Sequence, residues 1–371
     1  MTTPSDATLA ASDGRIETSF MDAIDLCERG LVPDALTRIG MRRLIAQRLA
    51  AETVADGEQR SERFAQFLRD LRESPIAIET GAANEQHYEV PAEFFHLHLG
   101  PRLKYSGCLY PSGHETLAAA EDAMLALYMQ RADVRDGQRI LDLGCGWGSL
   151  SIYLAEKYPN AQVVGLSNSH GQREFIERRA ADRRLKNLTI LTGNVVDFDF
   201  NRPVAHGVAA GFDRVLSVEM FEHMKNYGLL LAKIARWMKS DGKLFVHLFA
   251  HKSLAYHFEN QDRSDWMSKY FFTGGTMPSE NLLLYFQADL RLMRHWWVSG
   301  THYERTANDW LAGMDRHRKD IIDLFRKTYG ARDARIWFQR WRMFYMAVAE
   351  LFGYNDGNEW GVAHYLFEPR R

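Results

Sequence analysis

Five short apolar runs alternate with helical patterns between residues 139 and 249. The runs are RILDLG (139–144), AQVVGL (161–166), LTILTG (188–193), FDRVLSV (212–218) and KLFVHLF (243–249). Helix-period patterns lie at 148–157, 170–183 and 227–239. Near-continuous apolar strands separated by helices are the signature of βαβ units, whose parallel sheet is buried on both faces. Crossovers of that kind are right-handed. The pattern therefore predicts an α/β class chain with a doubly wound, mostly parallel sheet. In such a sheet ligands sit outside the carboxyl ends of the strands.

The flanks read differently. Residues 1–20 are small and polar, a composition that predicts disorder. Residues 21–115 form a helical extension followed by a loop-rich stretch that serves as a cofactor lid. Residues 116–250 are the nucleotide-type core, opening with a helix over 116–131 that has Thr116 near its start. Residues 251–371 make a substrate cap, with strands at 292–300 and 360–369 closing the sheet and helices at 302–328 and 332–352.

Composition removes several classes of function. With 46 Lys+Arg against 48 Asp+Glu the net charge is −2, which argues against a nucleic-acid partner. Three cysteines, Cys27, Cys108 and Cys145, make neither a disulfide framework nor a zinc cluster, so a reducing, cytoplasmic setting is expected. The opening residues lack a secretory pattern, and no apolar run approaches 18 residues, so no membrane span is expected. His247 and His251 straddle a strand end without a third ligand, so no metal is expected. The aromatic content of 12% is concentrated in the last third and points to an apolar pocket or core. An apolar cap also offers a surface for a homodimer.

The chemistry starts at Asp142-Leu143-Gly144-Cys145-Gly146-Trp147-Gly148, directly after the first strand. Three glycines allow a tight turn and close approach to a ligand. The spacing G-x-G-x-G is neither the dinucleotide fingerprint nor a phosphate loop. It resembles motif I of class I S-adenosylmethionine-dependent methyltransferases. The second strand lacks the acidic ribose ligand usual in that class. Gln172 is the candidate replacement, because an amide can both donate to and accept from a diol.

Longer stretches resemble the coclaurine N-methyltransferase group of the cyclopropane-fatty-acid-synthase-like superfamily. They are G-L-S-N-S-x-x-Q (165–172), Y-S-G-C-L-Y (105–110), the run from Glu219 to Tyr227, Ala255–Glu259, Tyr270–Pro278, Leu284–Asp289 and Phe352–Asn355. The resemblance spans about residue 20 onward. It implies a class I (Rossmann-like) methyltransferase fold with S-adenosyl-L-methionine as cofactor. Cofactor contacts are implied at Tyr105, Ser106, Asp142, Gly144, Gly146, Gly148, Asn168, Gln172, Asn194 and Val195. An active-site trio is implied at Glu219, Glu222 and His223.

Methylating an amine requires removal of its proton, which a carboxylate and an imidazole can accept. His223 is assigned as general base with Glu222 as partner, and Glu219 orients the amine or lies near the cofactor. The bland alternative is that Glu222 and His223 cap the next helix. Tyr256, Phe272, Trp341 and Phe344 are the candidate substrate contacts, Trp341 and Phe344 by resemblance. Arg340 stands where the group has an aromatic. The expected activity is N-methylation of a small, aromatic amine. The alternatives are an unsaturated acyl lipid, methylated or cyclopropanated, and a cofactor-binding regulator without catalysis. Against the synthases, Gly107 replaces their cysteine after Tyr-Ser and Glu219 replaces their glycine, while His247 matches one of their bicarbonate ligands.

Overall fold

The computed structural model describes residues 23–78, 90–202, 207–259 and 266–370. Its centre is a seven-stranded sheet: β1 (Arg139–Leu143), β2 (Gln162–Ser167), β3 (Leu188–Thr192), β4 (Phe212–Val218), β5 (Met238–His251), β8 (Leu290–Val298) and β9 (Trp360–Pro369). The order is β3-β2-β1-β4-β5-β9-β8. β1 to β5 run parallel, and β9 inserts antiparallel between β5 and β8. A two-stranded ribbon, β6 (Tyr256–His257) with β7 (Thr276–Met277), lies beside it.

Two apolar clusters cover the two faces of the sheet. Ile140, Val163, Ile190, Leu216 and Phe245 belong to one, and their chain neighbours Leu141, Val164, Leu191, Val215 and Leu244 to the other. Period-two alternation of wholly apolar strands thus fills both layers. Helices α5 (Ser149–Lys157), α6 (His170–Asp182) and α7 (Tyr227–Trp237) occupy the expected connections.

Before β1 the chain forms α1 (Asp34–Glu52), α2 (Gly57–Glu73), α3 (Ala92–His98) and α4 (Leu117–Arg131). Thr116 caps α4 by accepting from Ala119 N–H. The cap contains α8 (Trp266–Tyr270), α9 (Gly300–Arg316) and α10 (Arg318–Phe352). Ion pairs fasten α1 to α10: Arg38 and Arg42 to Glu350, and Arg342 to Asp34.

The expected break between the cap helices falls at Gly330, whose backbone (φ 83°, ψ 161°) is non-helical within α10, and a further break that the sequence did not suggest falls at His317. No glycine or proline marks His317, so periodicity carries across it. β5 also begins at Met238 rather than 243, because exposed Lys239, Ser240 and Asp241 hide its first residues from an apolar pattern. Residues 1–20, expected to be disordered, and part of the loop-rich 84–115 stretch lie outside the described residues.

Candidate active site

The glycine loop turns from β1 into α5. Gly144 has φ 84°, and a Cβ there would lie 2.8 Å from Met220 Cγ. Gly148 has φ 79° at the N-cap of α5, where a Cβ would lie 2.6 Å from Ile176. Only glycine meets both demands without displacement. Leu166 O accepts from Gly144 N–H and Cys145 N–H, both at 3.0 Å, which ties the loop to the end of β2.

A cavity opens over this loop. Its walls include Tyr105, Ser106, Asp142, Gly144, Gly146, Asn168, Gln172, Asn194, Val195, Glu219 and His223. Gly148 shapes the turn without lining the cavity. Asp142 is buried and accepts from Ser151 Oγ at 2.6 Å, and burial pushes its carboxyl up to about 7. Gln172 Oε1 accepts from Ser167 Oγ at 2.7 Å, while Gln172 Nε2 is buried without a partner. The amide therefore presents an unpartnered donor, and its oxygen keeps one lone pair beyond the Ser167 bond. Trp147 Nε1 and Ser149 Oγ also line the cavity without partners. Buried polar atoms normally find partners. A ligand rich in hydroxyl, carboxylate and ring-nitrogen acceptors, such as S-adenosylmethionine, fits these donors.

Glu219, Glu222 and His223 follow β4 directly, two of them in a 3-10 turn over Phe221–His223. Glu219 carries φ 48°, a left-handed backbone that costs a non-glycine residue free energy. Its backbone N–H donates to His247 O at 2.9 Å. Its carboxylate is heavily engaged: Oε1 accepts from Gly107 N–H at 2.9 Å and His247 Nε2 at 3.0 Å, and Oε2 accepts from Tyr303 O–H at 2.7 Å. Burial raises the Glu219 carboxyl, while the Lys104 ammonium and the hydrogen bonds pull it back. Lys104 is itself buried, donating to Ser106 Oγ and Gly107 O.

Glu222 is fully buried behind the cavity wall. Oε1 accepts from Phe249 N–H at 2.7 Å and Oε2 has no partner. Burial, then the nearby Glu219 charge, pushes its carboxyl well above the usual range. Two adjacent carboxyls thus receive different environments, the usual way of separating an anion from a proton carrier. His223 reaches the cavity with its ring centroid 4.8 Å from that of Phe272. The following helix is capped by Asn226, which accepts from Leu229 N–H at 3.0 Å, so Glu222 and His223 do not serve as its cap.

The four aromatic candidates separate. Phe272 stands beside His223, meets Phe258 edgewise and packs at a tilt on Phe249. Tyr256 lines a second, apolar cavity of about 540 Å³ between α1 and α10. Trp341 is fully buried against Phe94, Phe95 and Phe271, and Phe344 stacks on Phe271 at 4.4 Å. Neither lines a described cavity. Sequence reasoning missed Tyr303 and Lys104, and placed His247 only as the counterpart of a synthase bicarbonate ligand, not as a partner of Glu219. One signal was available: His247 and His364 are polar residues inside otherwise apolar strands, and such burial needs a partner.

The family model for mycolic acid cyclopropane synthetase matches residues 78–356. The chain belongs to this family. The chain is 40% identical over 355 residues to (S)-coclaurine N-methyltransferase of Thalictrum flavum subsp. glaucum, covering 95% of this chain and 96% of that one. It is 37% identical over 346 residues to the Papaver somniferum protein of the same name, covering 92% and 96%. A crystal structure of coclaurine N-methyltransferase bound to N-methylheliamine and SAH superposes with a TM-score of 0.89 at 37% identity, covering 94% of this chain and 99% of that one. The family fold, the glycine loop and these relatives identify an S-adenosylmethionine-dependent methyltransferase. Among the described residues, no helix is long and apolar enough to cross a membrane. No group of three or more His, Cys, Asp or Glu among them could hold a metal ion.

Proposed function

We propose that the protein N-methylates a small amine with an aromatic body, of the benzylisoquinoline type. The observation that carries this reading is the pairing of unequal carboxyls with an aromatic wall: Glu219 bonded to three donors, Glu222 buried with one oxygen unpartnered, and Phe272 beside His223. Aromatic faces attract both a flat ring system and a cation.

When bound, S-adenosylmethionine supplies an electrophilic methyl group on a sulfonium. The amine nitrogen's lone pair forms the N–C bond while the S–C pair returns to sulfur. The chain's residues align and deprotonate. Glu219 has one lone pair of Oε2 left to face an ammonium. His223, on the cavity wall, takes the amine proton, and Glu222 stands behind it as a buried, neutral partner. Tyr105, Ser106, Asn168, Gln172, Asn194 and Val195 hold the cofactor against the glycine loop, with the Gln172 Nε2 donor toward an acceptor on it. The relatives at 37–40% identity carry N-methyltransferase names, which leaves a lipid acceptor less supported.

The test is product analysis with methyl-labelled cofactor, offered an amine panel and unsaturated phospholipid vesicles side by side. Label on nitrogen is expected. Label in acyl chains with inert amines would refute the reading.

A further inference from the structure

His247 receives its hydrogen bonds from a chain of groups that runs away from the cavity. Arg131 NH1 meets His364 Nδ1, His364 Nε2 meets His247 Nδ1 at 2.9 Å, and His247 Nε2 meets Glu219 Oε1 at 3.0 Å. His247 and His364 are register partners on β5 and β9, and both are fully buried. Proton positions follow from one fact: a guanidinium has donors only. His364 Nδ1 must therefore accept, so its Nε2 carries the hydrogen. That hydrogen points at His247 Nδ1, which must accept in turn. His247 Nε2 then carries its hydrogen toward Glu219. The Tyr128 hydroxyl also lies 2.9 Å from His247 Nδ1 and shares that nitrogen's single lone pair with His364.

We propose that Arg131 and His364 are positioning residues of the methyl-transfer site: they lock His247 into the tautomer that donates to Glu219. This rests on the reading that Glu219 faces the reacting amine. The direction of the relay matters because the reverse tautomer would set a bare Nε2 against a carboxylate oxygen. Glu219 would then need a proton of its own and would no longer meet an ammonium as an anion. Burial, Lys104 and Arg131 keep both imidazoles neutral, so the relay is a fixed dipole chain and not a titrating switch. The groups around Glu219 are Lys104, Glu222, His247 and Tyr303. Those around His247 are Tyr128, Arg131, Lys104 and His364.

Histidine-selective 15N NMR of the whole protein tests the assignment without any variant. His247 should show a protonated Nε2 and a bare Nδ1 from pH 5.5 to 8.5. A protonated Nδ1, or an imidazolium, overturns the proposal. Arg131→Leu should free the relay to reverse. It should move the acid limb of kcat/KM for the amine up by about one pH unit, since losing a donor to a carboxylate raises its pKa. Cofactor affinity should be unchanged. Arg131→Lys, which keeps a donor, should restore the profile. His364→Leu is the second variant and should shift the limb the same way. Wild-type tautomer and acid limb in both Leu variants would overturn the proposal alone. Full activity of Glu219→Gln would instead overturn the reading beneath it, and the proposal with it.

Discussion

Glu222→Gln should abolish chemistry while making the fold more tolerant of alkali. Gln keeps the side-chain shape and the acceptor for Phe249 N–H, so the bond at 2.7 Å survives. What disappears is the exchangeable proton. General acid–base participation is worth roughly 10²–10⁴-fold in rate, so kcat should fall by that factor, about 2.7–5.4 kcal/mol of barrier. Glu222 does not line the cofactor cavity, so affinity for S-adenosylhomocysteine should hold within about two-fold. The stability effect follows from proton linkage. Burial raises the folded-state carboxyl well above its unfolded value. The folded protein therefore holds a proton that the unfolded chain has already released. The stabilisation is complete below the unfolded pKa and drains away as pH rises toward the folded one, by up to about 1.4 kcal/mol per pH unit. Gln carries no such dependence. The variant's Tm, measured against pH by differential scanning calorimetry, should gain on wild type by about 1–3 °C per pH unit above pH 5. Parallel Tm curves would show that Glu222 ionises normally in the fold. An unimpaired kcat would remove it from the reaction.

Three further outcomes are expected. Gly148→Ala places a Cβ 2.6 Å from Ile176 at a left-handed backbone position, and should lower thermal stability by about 1–3 kcal/mol and weaken cofactor binding. Gln172→Ala removes an unpartnered buried donor facing the cavity and should weaken S-adenosylhomocysteine binding by roughly ten-fold in calorimetric titration, with the amine's KM little changed. Asn226→Ala removes the cap of α7 and two donations to Arg72 O and Ser74 O, and should cost about 1–3 kcal/mol in denaturant unfolding without altering KM.

The sheet was legible because strands buried on both faces leave continuous apolar runs, and β1 to β4 appear within a residue or two of those runs. The glycine loop was equally readable, since its conformation admits few other residues. The partners of Glu219 were not. Gly107, Tyr303 and His247 come from three distant parts of the chain and meet only when β5, α9 and the segment after α3 are packed. Trp341 shows the opposite failure. A tryptophan on a cap helix reads equally well as a substrate wall or as core, and here its ring is enclosed by Phe94, Phe95 and Phe271.

The insertion of β9 between β5 and β8 sets a timetable for biogenesis. β5 ends at His251 and β9 begins at Trp360, so about a hundred residues separate the two halves of that pairing. At roughly 5–20 residues per second, a ribosome leaves the β5 edge open for roughly 5–20 s. During that interval a nearly complete, strongly apolar sheet has no neighbour on one side, a hazard for off-pathway association. His364 arrives on β9 itself, so the glycine loop, Glu219 and His223 are made well before the His364–His247 contact that backs them, and that contact closes only when the final strand pairs with β5.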